Sequence, residues 1–65
     1  MDIAQRILEA INNSDKPLTT ENLEEMLGVK RRSIYYHTHF LVKFGHIKRY
    51  MGLPGVFVSV EKGEA

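Results

Sequence analysis

The 65-residue chain predicts a mainly α (α+β) fold, a three-helix core followed by a C-terminal two-stranded β-hairpin. Three observations carry that expectation. Apolar residues recur at helical spacing in three successive stretches before Gly45, and after it the period changes to two. Turn-forming clusters punctuate the chain at residues 12–17, at Gly28-Val29 and at residues 51–55. Cysteine is absent, which removes disulfide frameworks, zinc ribbons and iron–sulfur centres as ways of stabilising so short a chain.

Asp2 is placed to cap a first helix carrying Ile3, Ile7, Leu8 and Ile11 on one face. Asn12-Asn13-Ser14-Asp15-Lys16-Pro17 ends it, and Leu18 follows as an isolated apolar anchor. Thr19 reads as the next N-cap, although Asn22 stands where a capping box has Glu or Gln. Leu23, Met26 and Leu27 form the apolar stripe of the second helix, and Glu21, Glu24 and Glu25 occupy its other side. Gly28 supplies the left-handed stop. A third helix from about Lys30 or Arg31 to Phe44, closed by Gly45, completes a helix-turn-helix arrangement.

At about 100° per residue, Leu41, His37, Phe44 and Thr38 cluster around Ile34, with Phe40 and Ser33 at the margin. Tyr35, His39, Arg32, Lys43 and Tyr36 fall on the opposite side. One face is therefore core, and the other is basic and aromatic. Residues 46–50 and 56–60 read as the hairpin strands, joined by a loop in which Pro54-Gly55 suits a type II turn. The expected buried set is Ile7, Leu8, Ile11, Leu23, Leu27, Ile34, Leu41 and Ile47. Residues 1–60 are expected to form one domain and residues 61–65 a frayed tail.

The net charge of +1 divides unevenly along the chain. Residues 1–29 hold six acids and two bases, residues 30–50 hold six bases and no acid, and residues 51–65 hold two acids and one base. A near-neutral average conceals a middle segment of +6, an asymmetry that speaks about partners. Lys30, Arg31 and Arg32 crowd the start of the third helix, where the macrodipole disfavours each cation by about 0.3–1 kcal/mol. No acid neighbours them in sequence, so an anionic ligand at that end is the expected compensation.

Other chemistries find little footing. The acids lie on the first two helices and the tail, away from His37, His39 and His46, and no phosphate loop or nucleophile motif is present. The protein is expected not to be an enzyme and to need no cofactor. His37 and His39 point about 200° apart on a helix and cannot share a metal, and His37 is expected to pack with one hydrogen bond. No apolar run approaches a membrane span and no signal peptide is visible, so a soluble protein is expected, cytoplasmic (nucleoid-associated, or nuclear in a eukaryote).

The string Leu18-Thr19-Thr20-Glu21-Asn22-Leu23-Glu24-Glu25-Met26-Leu27-Gly28-Val29, continued by Ser33-Ile34, His37, Leu41 and Gly45-His46-Ile47, resembles the winged helix-turn-helix repressors of the MarR and ArsR type. Lys30 stands where that family usually has Ser, and Thr38 where it has Leu. The spacing from Ile34 through Gly45 to Gly52-Leu53-Pro54-Gly55-Val56-Phe57 is also similar to the Z-form-DNA-binding winged domains of RNA-editing adenosine deaminases. Pro54 matches a wing proline there and Phe57 stands for the wing tryptophan, while Tyr35 and His39 replace an Asn and a Tyr.

The first resemblance implies a small transcriptional regulator binding double-stranded DNA. Helix three is then expected to enter the major groove through Arg31, Arg32, Ser33, Tyr35, Tyr36 and His39. Lys30, Lys43, Lys48 and Arg49 are expected to meet phosphates. Strand parity puts Arg49 on the side of Ile47, with Lys48 and Tyr50 outward. A weak or DNA-assisted homodimer on a palindromic site is the expected assembly. Two alternatives remain: a winged-helix protein–protein module docking an acidic partner, and a Z-form or shape-specific nucleic-acid binder.

Overall fold

A short carboxylate before an amphipathic run starts a helix by accepting a free backbone N–H. Asp2 does this in the computed structural model, which describes residues 2–61: its Oδ1 accepts the Gln5 N–H at 2.8 Å. Helix α1 (Ile3–Asn13) buries Ile7 and Ile11, with Ile3 and Leu8 half-buried at the edges of the stripe. Ser14 ends it, and the Ser14 hydroxyl bridges to the Lys16 carbonyl at 2.6 Å.

Leu18 is more than an anchor. Leu18 and Thr19 form a short strand, β1, and Leu18 is buried. Thr19 also caps helix α2 (Thr20–Leu27). Its hydroxyl accepts the Asn22 N–H at 3.0 Å, and its own N–H donates to Asn22 Oδ1 at 3.0 Å. The capping box closes with Asn in the third position, because an amide oxygen offers the same acceptor as Glu or Gln. At the other end, the Gly28 N–H donates to the Glu24 carbonyl at 2.9 Å. Arg6 of α1 donates to the Leu27 carbonyl at 3.0 Å, a cation at the helix end where the dipole favours one.

Helix α3 (Arg31–Lys43) buries Ile34, Thr38 and Leu41. Thr38 is tolerated there because its hydroxyl donates to the Ile34 carbonyl at 2.8 Å, so that its one side-chain polar atom is paired. The helix stops in a Schellman turn. The Gly45 N–H donates to the Val42 carbonyl at 3.1 Å and the His46 N–H to the Leu41 carbonyl at 2.8 Å, with Gly45 at φ 79°.

Strand β2 (Ile47–Arg49) leads through a 3-10 turn (Tyr50–Gly52) into β3 (Val56–Ser59). The sheet is antiparallel with order β1-β3-β2, so β3 is its centre. Leu18 and Arg49 both pair with Phe57, from opposite edges. A second tie joins the loop to α2: the Gly55 carbonyl accepts the Thr20 N–H at 3.0 Å and the Thr20 hydroxyl at 3.4 Å.

The expectation of a two-stranded hairpin is therefore corrected to a three-stranded sheet. A two-residue strand has no period to detect, and its partner lies 39 residues away in sequence, Leu18 on Phe57. The core comprises Ile7, Ile11, Leu18, Leu23, Ile34, Leu41, Ile47 and Phe57, with Leu8 and Leu27 half-buried against it rather than inside it. Phe44 is also corrected, from the core face to solvent. The helix ends at Lys43 and Phe44 is its C-cap, at φ −90° and ψ 5°, so the helical wheel that put Phe44 on the packed stripe no longer governs where it points. Of the expected tail, residues 62–65 lie outside the described residues.

A Leu41→Ala variant is expected to lose about 2–5 kcal/mol in urea denaturation, a large share of the stability of so small a domain. Gly55→Ala should cost about 1–2 kcal/mol by the same measurement, since Gly55 sits at φ 77° and an added Cβ would meet the Thr20 hydroxyl at 3.3 Å.

Candidate nucleic-acid interface

The outward side of α3 and the hairpin beside it hold the residues singled out by charge. Lys30 takes the N-cap position, exposed and without a side-chain cap bond. Arg31 is exposed yet engaged: its Nε donates to Glu24 Oε2 at 2.8 Å, and its Nη2 lies 3.9 Å from Glu21 Oε1. The hydrogen bond and charge of Glu24 raise the guanidinium pKa further above its already high value, so Arg31 stays charged. The expectation that no acid compensates this turn is corrected. The turn through Gly28 folds the acidic side of α2 against the start of α3, a proximity that sequence distance conceals. Arg31 is thereby part of the α2–α3 junction.

Arg32 is exposed and Ser33 half-buried. The Ser33 carbonyl accepts the His37 Nδ1–H at 2.8 Å, so His37 is a half-buried histidine with one hydrogen bond, as expected of it. Tyr35 and His39 stand one helical turn apart on the flank of α3 nearest the hairpin. With Thr38, Arg49, Pro54, Gly55 and Phe57 they line a hollow of about 290 Å³ between α3 and the loop. Arg49 shares its strand face with Ile47, but unlike Ile47 it is exposed, and it lines the same hollow as Tyr35 and His39.

The remaining candidates separate. Lys43 is exposed in the last turn of α3, where the dipole favours a cation. Lys48 is half-buried and lies with Val42, Ile47 and Val60 around a second hollow, which Arg49 also borders but Tyr35 and His39 do not. Tyr50 sits in the 3-10 turn rather than in the strand, beside Ile11, Ser14 and Pro17 on the other side of the sheet. Tyr36 is exposed on the flank of α3 away from Tyr35. The structure thus brings Tyr35, His39 and Arg49 to one hollow, leaves Lys30, Arg32, Tyr36 and Lys43 exposed on the rest of the outward side of α3, and engages Arg31 with α2.

Two features escaped the sequence reading. Thr38, Pro54 and Phe57 line the hollow, although Thr38 was read as core and Pro54 and Phe57 were singled out only through the Z-form-DNA-binding resemblance. Phe40 and Phe44 join Tyr36 in an exposed aromatic row. Tyr36 and Phe40 meet edge to face at 5.1 Å between ring centroids, and Phe40 and Phe44 stack with 6.3 Å between centroids and 16° between planes. The spacing of four was available in the sequence, but Phe44 was assigned to the packed side.

Among the described residues, no group of three His, Asp or Glu side chains is placed to hold a metal ion, and no helix is long and apolar enough to cross a membrane. Comparison of the chain with family models, curated proteins and solved structures returns no match.

A double-mutant cycle over Arg31→Ala and Glu24→Ala, measured by urea denaturation, should show a favourable coupling that shrinks as salt rises from about 0.05 to 1 M. A coupling that is absent at low salt would remove Arg31 from the α2–α3 junction.

Proposed function

We propose that the protein is a small winged helix-turn-helix module that binds double-stranded DNA, with α3 in the major groove and the hairpin against the flanking backbone. The observation that carries this reading is the convergence of Tyr35, His39 and Arg49 on one hollow, within a stretch of 21 residues, 30–50, that holds six cations and no acid. The charge supplies affinity for phosphate, and the tyrosine and imidazole supply donors and acceptors for base edges. Arg32 and Tyr35 would read bases. Lys30, Lys43 and Arg49 would neutralise phosphates, and Arg31 contributes less because Glu24 already answers its charge.

Binding would be modest for one copy, and two copies on a palindrome with half-sites about 10–11 base pairs apart would double the readout. The position of Pro54 beside Tyr35 and His39 favours a second reading, a module that grips the shape of the backbone rather than its sequence. The role expected of Lys48 moves from the duplex face to the hairpin edge, since it lies on a different hollow from Arg49's partners on α3.

The test is binding to duplexes selected from random sequence, at one fixed salt concentration and then across a salt series. With about four phosphates neutralised, the log–log slope should be roughly −3 to −4 per bound copy. Lys43→Ala should weaken every duplex alike and flatten the slope by nearly one unit. Tyr35→Ala should cost about 1–3 kcal/mol on the selected site and much less on random DNA. Equal losses on both would favour the shape reading, and no loss from either variant would favour docking to an acidic protein.

A further inference from the structure

The flank of α3 away from the hairpin carries Tyr36 and Phe40, and the C-cap Phe44 continues them, each one turn beyond the last. Arg32 lies one turn before Tyr36, on the outward side between the two flanks. The three rings form a row about 12 Å long, and Tyr36, Phe40 and Phe44 remain 62%, 37% and 66% exposed. Nothing in the fold explains this exposure: Phe40 and Phe44 stack on each other over solvent, outside the core. We infer that this row is a stacking platform for the bases of single-stranded nucleic acid, with Arg32 and Lys43 beside it to meet the phosphates.

Two physical arguments choose this occupant over a second copy of the chain. The first is charge. Arg32 and Lys43 are exposed beside the row, so pairing two copies through it would bring like charges together. A polyanion meets the same surface with the opposite sign. The second is area. A buried aromatic side chain contributes about 150–250 Å², so at these exposures the rings offer roughly 300 Å² per copy. That falls well short of the ~800 Å² per partner in a specific protein interface. It is enough for two or three bases, because each unpaired base brings its own π face and its own phosphate.

The row does not compete with the duplex reading for side chains other than Arg32, Tyr36 and Lys43, and Phe40 and Phe44 lie outside it. Their variants therefore test the platform alone.

The experiment measures fluorescence anisotropy of the full chain with a labelled oligothymidylate of about twelve nucleotides, beside an abasic chain of equal length and charge. Wild type should bind the oligothymidylate at least several-fold more tightly than the abasic chain. Phe44→Leu keeps an apolar side chain but removes the ring, and should lower oligothymidylate affinity about tenfold while leaving abasic-chain and duplex affinity unchanged. Phe44→Tyr should retain binding. Phe40→Leu, checked for an unchanged thermal melt, should repeat the Phe44→Leu result. Equal affinity for the two chains would overturn the proposal, as would a Phe44→Leu variant that binds like wild type. So would a concentration-dependent dimer in sedimentation velocity that Phe44→Leu abolishes, which would assign the row to a second copy.

Discussion

The central position of β3 is the constraint on which the rest of the structure depends. One four-residue strand must satisfy two neighbours, and the two pairings perform different tasks. On one edge, Leu18 and Thr19 attach the entry of α2, and the Thr20–Gly55 hydrogen bonds add a second tie at the same place. On the other edge, Ile47 to Arg49 attach the exit of α3. Helices two and three are therefore held at their outer ends by the same strand and at their inner ends by the turn through Gly28. The buried side chains of Ile7, Leu23, Ile34 and Ile47 fill the space so enclosed. In a chain too short for a large core, this double attachment replaces the staples that cysteine would supply.

The candidate nucleic-acid surface is a product of that arrangement. Arg49 reaches the flank of α3 only because β2 pairs with β3 in the observed register. A slip of one residue would send its side chain to the opposite face of the sheet. The exposed cations of α3 are likewise free to face outward because Glu24 and Glu21 answer the one that lies nearest the α2–α3 turn. Acidic residues of α2 thus act as an internal counter-charge at the start of a cationic helix, where the dipole would otherwise oppose all three bases.

The helices were legible in the sequence because their signals are local. Asp2, Thr19, Gly28 and Gly45 mark their ends through hydrogen bonds within three to five residues, and the Ile and Leu stripes repeat within each helix. The short strand at Leu18 was not legible, since its evidence is a pairing with Phe57 far along the chain. The Arg31–Glu24 pair escaped for the same reason in weaker form: the residues are close in sequence but belong to different helices, so no single helical wheel brings them together. Of the site, the cationic flank and the positions of Tyr35 and His39 on it were readable from periodicity. The placement of Arg49 beside them needed the sheet register, and the exposure of Phe44 needed the turn that ends α3 a residue early.

The separation of acids and bases along the chain has a consequence once it is folded into a body with a radius of gyration of 10.3 Å. Most acids lie on α1 and α2 and most cations on α3 and β2, the two sets meeting at the Arg31–Glu24 pair, so the charge is unevenly distributed despite a net value of +1. A neutral sphere would approach a polyanion in every orientation and lose most encounters to misalignment. A molecule so charged experiences a torque before it touches, and turns its cationic side forward over roughly a Debye length, about 8–10 Å in physiological salt. Rotational steering of this kind acts on the rate of association more than on its strength, and it costs the fold nothing in net self-repulsion.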